Sequence, residues 1–241
     1  MRILAILFAL MSVAHAQDRW PLDEMNRVIE STNFRVGSGC SGTLIKLDPP
    51  LILTNQHCIT QEVRIVEVDE VQPDGTVRRI RRQITMPTIA SQDILDATGV
   101  VIGRRETRVE IVSVNADADL ALLRPMSPLT NPIAARIGTG IIRGERIYIV
   151  GNPAMYEASV VEGIVSHVRR ELSAFASPLG RPWVGFQISG GTTGGNSGGA
   201  IYNTRGQLVG VPTAGRRDAK FIGFAVPIDI IRKFLSGAGV I

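Results

Sequence analysis

Long apolar runs are scarce in this sequence, and none reaches the roughly 20 residues that a membrane-spanning helix needs. The best candidate stands at the start, where Arg2 precedes an apolar stretch from Ile3 to Val13 and Ala14-His15-Ala16 follows. A basic residue, a short apolar core and a small-x-small end are typical of a secretory signal peptide. We therefore expect residues 1–16 to be removed, and we expect a secreted or periplasmic protein without a membrane anchor.

Cysteine is also scarce, since only Cys40 and Cys58 occur and no CxxC pair is present. In an oxidising compartment the two are expected to be bonded, and closing the loop between them would contribute about 3 kcal/mol on the loop-entropy model. A zinc site that includes His57 is the alternative, but three ligands without a CxxC pair make a poor case for it. We predict a disulfide and neither a metal nor another cofactor.

A large excess of charge of one sign is missing as well. Loss of Arg2 with the signal peptide leaves 25 Lys and Arg against 22 acids, a net charge of +3. The densest basic run, RRIRR at 78–82, could attract nucleic acid or acidic lipid. It follows a Pro-Asp-Gly turn in an alternating stretch, however, which favours a solvated strand face. No nucleic-acid partner is expected.

The residues from Gln17 onward contain no internal repeat that would indicate a solenoid or a propeller. From Gly39 the chain shows short apolar runs separated by Gly, Pro, Asn and Asp, a pattern typical of an all-β protein. The first series of runs is SGTLIKL, LILTNQH, VRIVEV, TVRRIRRQI, RVEIVSV and LALLRP. The second is RIYIVG, ASVVEGIVSHV, WVGFQIS, GAIYN, QLVGVPT and FIGFAVP.

These two series predict two six-stranded antiparallel β-barrels, because closure of each sheet removes its exposed edges. We assign residues 17–123 to an N-terminal extension and the first barrel, 124–137 to a proline-rich interdomain connection, and 138–241 to the second barrel. Short helices are predicted from Asp23 to Ile29 and, capped by Asp229, through Leu235. A site formed by loops of both barrels would lie in the cleft between them.

The sequence contains only three histidines, so few residues are candidates for a histidine general base. His15 belongs to the predicted signal peptide, so only His57 and His167 remain. His57 lies in TNQHC, where an apolar strand runs into a polar turn, a placement that exposes a side chain at a strand end. His167 lies inside an alternating strand and is predicted to face solvent. His57 is therefore the candidate base.

Ser197 lies in GGTTGGNSGG, a run so poor in side chains that backbone amides can crowd around it. Such amides form an oxyanion hole, which we assign to Gly195, Asn196 and Ser197, with the amides of Gly195 and Ser197 as the main donors. A glycine-rich surface loop is the alternative. A phosphate-binding loop is disfavoured, because no Lys follows the glycines as a P-loop requires.

The residues from Gly195 to Gly199 also match GxSxG, the nucleophile elbow of α/β-hydrolases, in which a histidine follows the serine. No histidine follows Ser197, so that class is excluded. The carboxylate that orients the base is then assigned to Asp119, which stands immediately before the apolar run LALL. Asp117 is the second choice, and a plain turn residue remains the alternative for either.

The order His57, Asp119, Ser197 and four segments, SGTLI, TNQHC, DLALL and GGNSGGAIYN, resemble trypsin-like serine proteases of the chymotrypsin fold. The resemblance is closest to the bacterial HtrA/Deg branch and covers roughly Gly37 to Phe234. It implies an endopeptidase that acts on proteins or peptides through an acyl-enzyme. A non-catalytic binding protein on a protease scaffold and an enzyme dedicated to one partner stay open.

Departures from the family pattern carry further expectations. HtrA proteins usually have a PDZ domain after the protease, so regulation through such a module is not expected in a chain that stops at Ile241. The pair Cys40 and Cys58 resembles the disulfide beside the histidine of animal trypsins. Asn196 stands where animal trypsins have the Asp that pairs with a new amino terminus, so activation through that ion pair is not expected.

The resemblance also places the primary specificity pocket. Its residues would be Gly191, Thr192, Thr213, Ala214, Gly215 and Gly223. No acid is present among them, which disfavours Arg or Lys at P1. Small to medium apolar P1 residues are expected instead.

Overall fold

The computed structural model of the chain describes residues 19–241 except 38, 60–62, 86–87, 97, 131, 157, 175–176, 178, 191 and 217–218. The predicted signal peptide and Gly191 of the predicted pocket therefore lie outside the described residues. The helices are α1 (Leu22–Thr32) and α2 (Ile228–Gly237), and two 3₁₀ turns lie at Gln56–Ile59 and Pro153–Met155. The strands are β1 (Asn33–Val36), β2 (Cys40–Leu47), β3 (Pro50–Thr54), β4 (Val63–Val71), β5 (Val77–Thr85), β6 (Ile89–Leu95), β7 (Val101–Asn115), β8 (Leu120–Pro125), β9 (Arg136–Ile137), β10 (Arg146–Gly151), β11 (Ser159–Leu172), β12 (Trp183–Ser189), β13 (Ala200–Asn203), β14 (Gln207–Arg216) and β15 (Ala219–Pro227).

The strands close into two six-stranded antiparallel barrels, which confirms the predicted fold class. The first has the order β1-β2-β3-β8-β7-β6 and closes through β1 and β6. The second has the order β13-β10-β11-β12-β15-β14, closes through β13 and β14, and adds β9 parallel to β14. The predicted connection, 124–137, thus shares two residues with β8 at one end and two with β9 at the other.

Strand β8 explains why its sequence, LALL, is apolar without alternation. Ala121 and Leu123 belong to the core of the first barrel, whereas Leu120 and Leu122 belong to a second apolar cluster that joins the two barrels. All four side chains are fully buried. A strand that is buried on both faces reads as a continuous apolar run, and this strand carries Asp119 at its start.

The membership of the first barrel differs from the sequence prediction. The runs VRIVEV and TVRRIRRQI form β4 and β5, which, within the described ranges, pair with each other alone as a separate hairpin. The barrel uses β1 and β6 in their place. The described side chains of β4 and β5 are exposed or half-buried, so the hairpin has no face that the barrel core could bury.

The basic run on β5 is a solvated strand face, as predicted. The guanidinium of Arg79 pairs with Asp69 at 3.0 Å, that of Arg81 with Glu67 at 3.4 Å, and that of Arg82 with Glu70 at 2.7 Å. Carboxylates of β4 therefore neutralise these cations across the strands.

The predicted helix cap at Asp229 is wrong. Helix α2 begins at Ile228, with Pro227 at the N-cap position and no side-chain capping bond. Asp229 lies in the first turn, and its carboxylate pairs with the guanidinium of Arg169 at 3.1 Å. Helix α1 also exceeds its predicted bounds. None of the helices in the described part of the chain is long and apolar enough to cross a membrane.

The segment before the first barrel is fixed to the second barrel by Trp20. Its indole is 2 % exposed and packs on the rings of Tyr148 and Tyr202, with centroids 6.2 and 5.0 Å away. Twelve residues later, the hydroxyl of Thr32 at the end of α1 lies 2.9 Å from the phenol oxygen of Tyr202. Burial raises the pKa of this phenol, so Tyr202 stays neutral. The N-terminal segment is therefore a structural part of the two-barrel unit.

Replacing Trp20 by Ala is expected to lower the free energy of unfolding by about 3–5 kcal/mol, because it empties a large buried site against two aromatic rings. Urea denaturation followed by fluorescence measures this change. Leu22→Ala is the matched control, since Leu22 is 70 % exposed on the same segment and should change stability little. A loss below about 1 kcal/mol for Trp20→Ala would show that the segment is not held in this way.

Candidate active site

His57 and Asp119 form a bonded pair at the end of the first barrel. The ring atom Nδ1 of His57 lies 2.8 Å from Oδ2 of Asp119, and the backbone N–H of His57 donates to Oδ1 at 3.0 Å. The carboxylate is 1 % exposed, whereas the histidine side chain is 38 % exposed. Two bonds from one residue to one buried carboxylate fix the plane of the ring and leave Nε2 as the ring nitrogen that this carboxylate does not occupy.

A tight turn between β7 and β8 places Asp119. The backbone of Asp119 has φ +56°, in the left-handed region that Asp and Asn tolerate better than most residues. Its N–H donates to the carbonyl of Ala116, and the side chain of Asn115 accepts from the N–H of Ala118. The side chain of Asn55 donates to the Asp119 carbonyl at 2.8 Å. The turn therefore directs the carboxylate at the histidine.

A disulfide holds the turn that carries His57. Cys58, the next residue, bonds to Cys40 at the start of β2, as predicted. Both sulfurs lie near the histidine ring, within the 4.8 Å that a metal cluster would require. Because they are bonded to each other, they are not thiolates, and the zinc alternative loses two of its three ligands.

Ser197 lies on the second barrel's loop between β12 and β13, which we call the nucleophile loop (residues 192–199). Its hydroxyl donates to the carbonyl of Thr213 at 2.9 Å, and no bond to His57 is found among the described residues. The loop does lie against the histidine turn, because Sγ of Cys58 is 3.7 Å from the Ser197 carbonyl oxygen. The structure thus places the loop that carries Ser197 against the turn that carries His57, without a hydrogen bond between the two side chains among the described residues.

The two residues that precede the predicted oxyanion donors, Gly194 and Asn196, each have a hydrogen-bonded carbonyl. The carbonyl of Gly194 accepts from the N–H of Ala154 at 2.8 Å, and that of Asn196 accepts from the N–H of Gly199 at 3.0 Å. A trans peptide directs its N–H opposite to its carbonyl. The N–H groups of Gly195 and Ser197 therefore point away from these two contacts.

Asn196 does not fit the predicted role of a third donor. Its backbone N–H donates to the carbonyl of Thr193 at 3.2 Å and is already used in a turn. Its side chain is buried beside Gly151, where an added Cβ would lie 2.8 Å from the Asn196 Oδ1 atom. The predicted set of donors is thereby reduced to Gly195 and Ser197.

The described residues of the predicted pocket lie together, and Thr192 occupies the space between two of them. Gly215 on β14 pairs with Gly223 on β15. A Cβ added at Gly215 would lie 2.6 Å from the Thr192 hydroxyl oxygen, and one at Gly223 would lie 2.7 Å from it. That oxygen is buried and has no hydrogen-bond partner among the described residues. Thr213 is buried on β14 and Ala214 follows it, half-buried.

Two alternatives from the sequence lie elsewhere. Asp117 is exposed in the β7–β8 turn, and its carboxylate is 3.7 Å from the guanidinium of Arg181. His167 is half-buried on β11 beside Gln187. In the described part of the chain, neither forms a hydrogen bond or an ion pair with His57 or Ser197.

Sequence reasoning missed the buried polar residues that connect these groups. Asn55 donates to the Asp119 carbonyl and also to the Thr213 hydroxyl, at 3.2 Å, so one side chain links both barrels. Ser41 and Asn152 contact the nucleophile loop from the other side. Asn55 and Ser41 stand inside the motifs TNQHC and SGTLI, which were singled out for other residues, and Asn152 directly follows the run RIYIVG. The available signal was a small polar residue directly beside an apolar run.

Comparisons with known proteins identify the family of the chain. The family model "Trypsin-like peptidase domain" matches residues 40–211. The HtrA-like serine protease of Staphylococcus haemolyticus is 28% identical over 238 residues, which is 93% of this chain and 32% of that protein. The putative serine protease HhoA of Synechocystis is 32% identical over 160 residues, which is 60% of this chain and 39% of that protein.

The fold has a close counterpart among solved structures. The active form of the Rv3671c protease from Mycobacterium tuberculosis superposes with a TM-score of 0.63 at 16% identity, covering 88% of this chain and 83% of that one. The chain spans only about a third of the length of the curated relatives named above. Because the family model matches well over half of its residues, the chain belongs to the trypsin-like peptidase family and is similar to its HtrA-type members.

Proposed function

We propose that this protein is a serine endopeptidase that uses His57, Asp119 and Ser197. The observation that carries the proposal is the buried Asp119 carboxylate bonded to both the ring and the backbone of His57. A purely structural turn residue would not need a half-exposed histidine as its partner. Membership of the peptidase family supports the same assignment.

The chemistry follows from these positions. Asp119 holds the proton on Nδ1 of His57, so that Nε2 can accept the proton of Ser197. The Ser197 oxygen then attacks the scissile carbonyl carbon, and the amides of Gly195 and Ser197 stabilise the oxyanion. His57 returns the proton to the leaving amine, and water hydrolyses the resulting acyl-enzyme.

The hydroxyl of Ser197 must turn for this first step. In the structure it donates to the Thr213 carbonyl, so the O–H must leave that carbonyl and turn toward the His57 ring before attack. Bonds between nucleophile and base often form fully only when substrate is bound. The Thr213 carbonyl therefore serves as the resting acceptor of the Ser197 proton.

Cleavage of fluorescent casein separates this proposal from a binding protein on a protease scaffold. We expect the wild type to cleave casein. The cleavage rates of Ser197→Ala and His57→Ala should each be lower by several orders of magnitude. Equal rates for the three proteins would overturn the proposal and favour the scaffold. Fluorescence spectra and melting curves of the variants show that they are folded.

For the P1 residue we propose a preference for small apolar side chains. No acid lies among the described pocket residues, and the Thr192 side chain already lies against Gly215 and Gly223. A pocket shortened in this way leaves little room for an aromatic or long side chain. Its substrates are proposed to be proteins or peptides.

Thr192→Ala is expected to deepen the pocket and to raise the ratio of kcat/KM for a Leu over an Ala substrate by about 10-fold or more, in the range that one or two methylenes contribute. A pair of peptide p-nitroanilides that differ only at P1 measures this ratio. Thr204→Ala, in the turn between β13 and β14, is the control that should not alter it. An unchanged ratio for Thr192→Ala would remove Thr192 from the pocket.

Export is proposed on two grounds. Residues 1–16 have the pattern of a signal peptide, and the Cys40–Cys58 disulfide suits an oxidising compartment. Sequencing the amino terminus of the protein from its native host tests this. Gln17 is the expected first residue, and a retained Met1 would contradict the proposal.

A further inference from the structure

We infer that Ser41, on the first barrel, is a positioning residue for the oxyanion hole on the second barrel. This inference rests on the proposed function. The side chain of Ser41 is fully buried where β2 meets the nucleophile loop. Its hydroxyl donates to the carbonyl of Gly195 at 2.6 Å, and its backbone N–H donates to the carbonyl of Ser197 at 2.7 Å. Ser41 is thus hydrogen-bonded to the loop on both sides of Asn196.

The direction of the Ser41 proton is fixed by its neighbour Asn152. The backbone N–H of Asn152 donates to the Ser41 oxygen at 2.8 Å, and its side-chain amide donates to the same oxygen at 3.0 Å. A hydroxyl has two acceptor sites and one proton. With both acceptor sites occupied, the proton is left for the Gly195 carbonyl.

The orientation of the Asn152 side chain is determined in turn. Its Oδ1 accepts from the backbone N–H of Ala158 at 3.0 Å, and a backbone amide can only donate. Its Nδ2 then faces the carbonyl of Phe34 at 2.9 Å as well as Ser41. Each of these side-chain polar atoms of Ser41 and Asn152 therefore has a defined role as donor or acceptor in the buried hydrogen-bond network, which favours a rigid arrangement.

The consequence falls on Gly195, whose N–H is a proposed oxyanion donor. The peptide before Gly195 is held by Ala154, and the peptide after it is held by Ser41. Together these bonds keep Gly195 at φ +105°, a conformation that glycine alone adopts readily. Removing the Ser41 hydroxyl leaves the second peptide without its partner. Gly195 is then held on one side only, by the bond from Ala154 to Gly194, so the direction of its N–H is less tightly fixed.

Ser41→Ala tests this role through the transition state. We expect kcat to fall by about 10- to 100-fold, less than or equal to the effect of deleting an oxyanion donor. KM should change little, because the substrate pocket is untouched. The inhibition constant of a peptide boronic acid, which forms a tetrahedral adduct at the serine, should rise by the same factor as kcat falls.

The control is Thr32→Val, which also breaks a buried hydroxyl contact to the second barrel but lies at Tyr202, away from the nucleophile loop. It should lose a similar amount of stability and keep the wild-type kcat and boronate affinity. Succinyl-Ala-Ala-Pro-Val p-nitroanilide and the matching boronic acid serve as probes.

The outcomes separate this inference from the proposed function. A wild type without Ser197-dependent cleavage overturns both. An active wild type with equal kcat and boronate affinity in Ser41→Ala and Thr32→Val overturns the inference alone. A Ser41→Ala variant whose KM rises while kcat and boronate affinity stay unchanged also overturns it.

Discussion

Replacing Asp119 by Asn is expected to lower kcat/KM by about 10⁴-fold, the magnitude typical of this change in Ser-His-Asp triads. The backbone N–H of His57 needs an acceptor, and the remaining carbonyl of the Asn side chain supplies it. The new NH₂ group then faces Nδ1, which must give up its proton. The ring proton moves to Nε2, and His57 can no longer accept the proton of Ser197.

Asp117→Asn is the matched control for this substitution. Asp117 lies two residues earlier in the same turn, but its carboxylate is exposed and faces Arg181 instead of the histidine. The kcat/KM of Asp117→Asn for a peptide p-nitroanilide should stay near the wild-type value. If Asp119→Asn stays folded and loses less than about 10-fold in kcat/KM, Asp119 does not set the histidine tautomer.

Replacing Gly195 by Ala is expected to lower kcat by about 10²- to 10³-fold, as loss of an oxyanion donor does. An added Cβ would lie 2.2 Å from the carbonyl oxygen of Asn152, and the backbone φ of +105° disfavours any side chain. The peptide must therefore rotate, and the Gly195 N–H turns out of the hole. Steady-state kinetics with a peptide p-nitroanilide measure the change.

Gly194→Ala provides the comparison within the same loop. A Cβ at Gly194 meets nothing within 4 Å, and its backbone lies outside the positive-φ region. The fold-decrease in kcat for Gly194→Ala should be at least about 10-fold smaller than for Gly195→Ala, since an open site accepts a methyl group. Equal losses for the two variants would mean that the loop tolerates no substitution and that Gly195 has no special role. Melting curves exclude unfolding as the cause.

The architecture was largely predictable because strand runs and turn residues are local signals. All six strands of the second barrel coincide with apolar runs seen in the sequence. The first barrel was predicted with the right number of strands but with two wrong members. Alternation alone does not show whether a strand pairs into a barrel or, like β4 and β5, only into a hairpin, since pairing depends on distant partners.

The candidate site was predictable where chemistry restricts the choice. Histidine scarcity singled out His57, and the glycines around the serine singled out Ser197. The supporting residues were not predictable, because Ser41, Asn55 and Asn152 act through contacts with residues more than 60 positions away. The error at Asn196 has the same cause. Whether its N–H is free depends on a turn to Thr193 that composition does not reveal.

In the proposed mechanism, Ser197 is a nucleophile that His57 activates. The most direct test is to treat the protein with a fluorophosphonate and to locate the adduct by mass spectrometry of the digested chain. We predict one adduct per chain, on the Ser197 oxygen, formed rapidly by the wild type and not detectably by His57→Ala. An adduct on another residue, or labelling at the same rate without His57, would contradict this account.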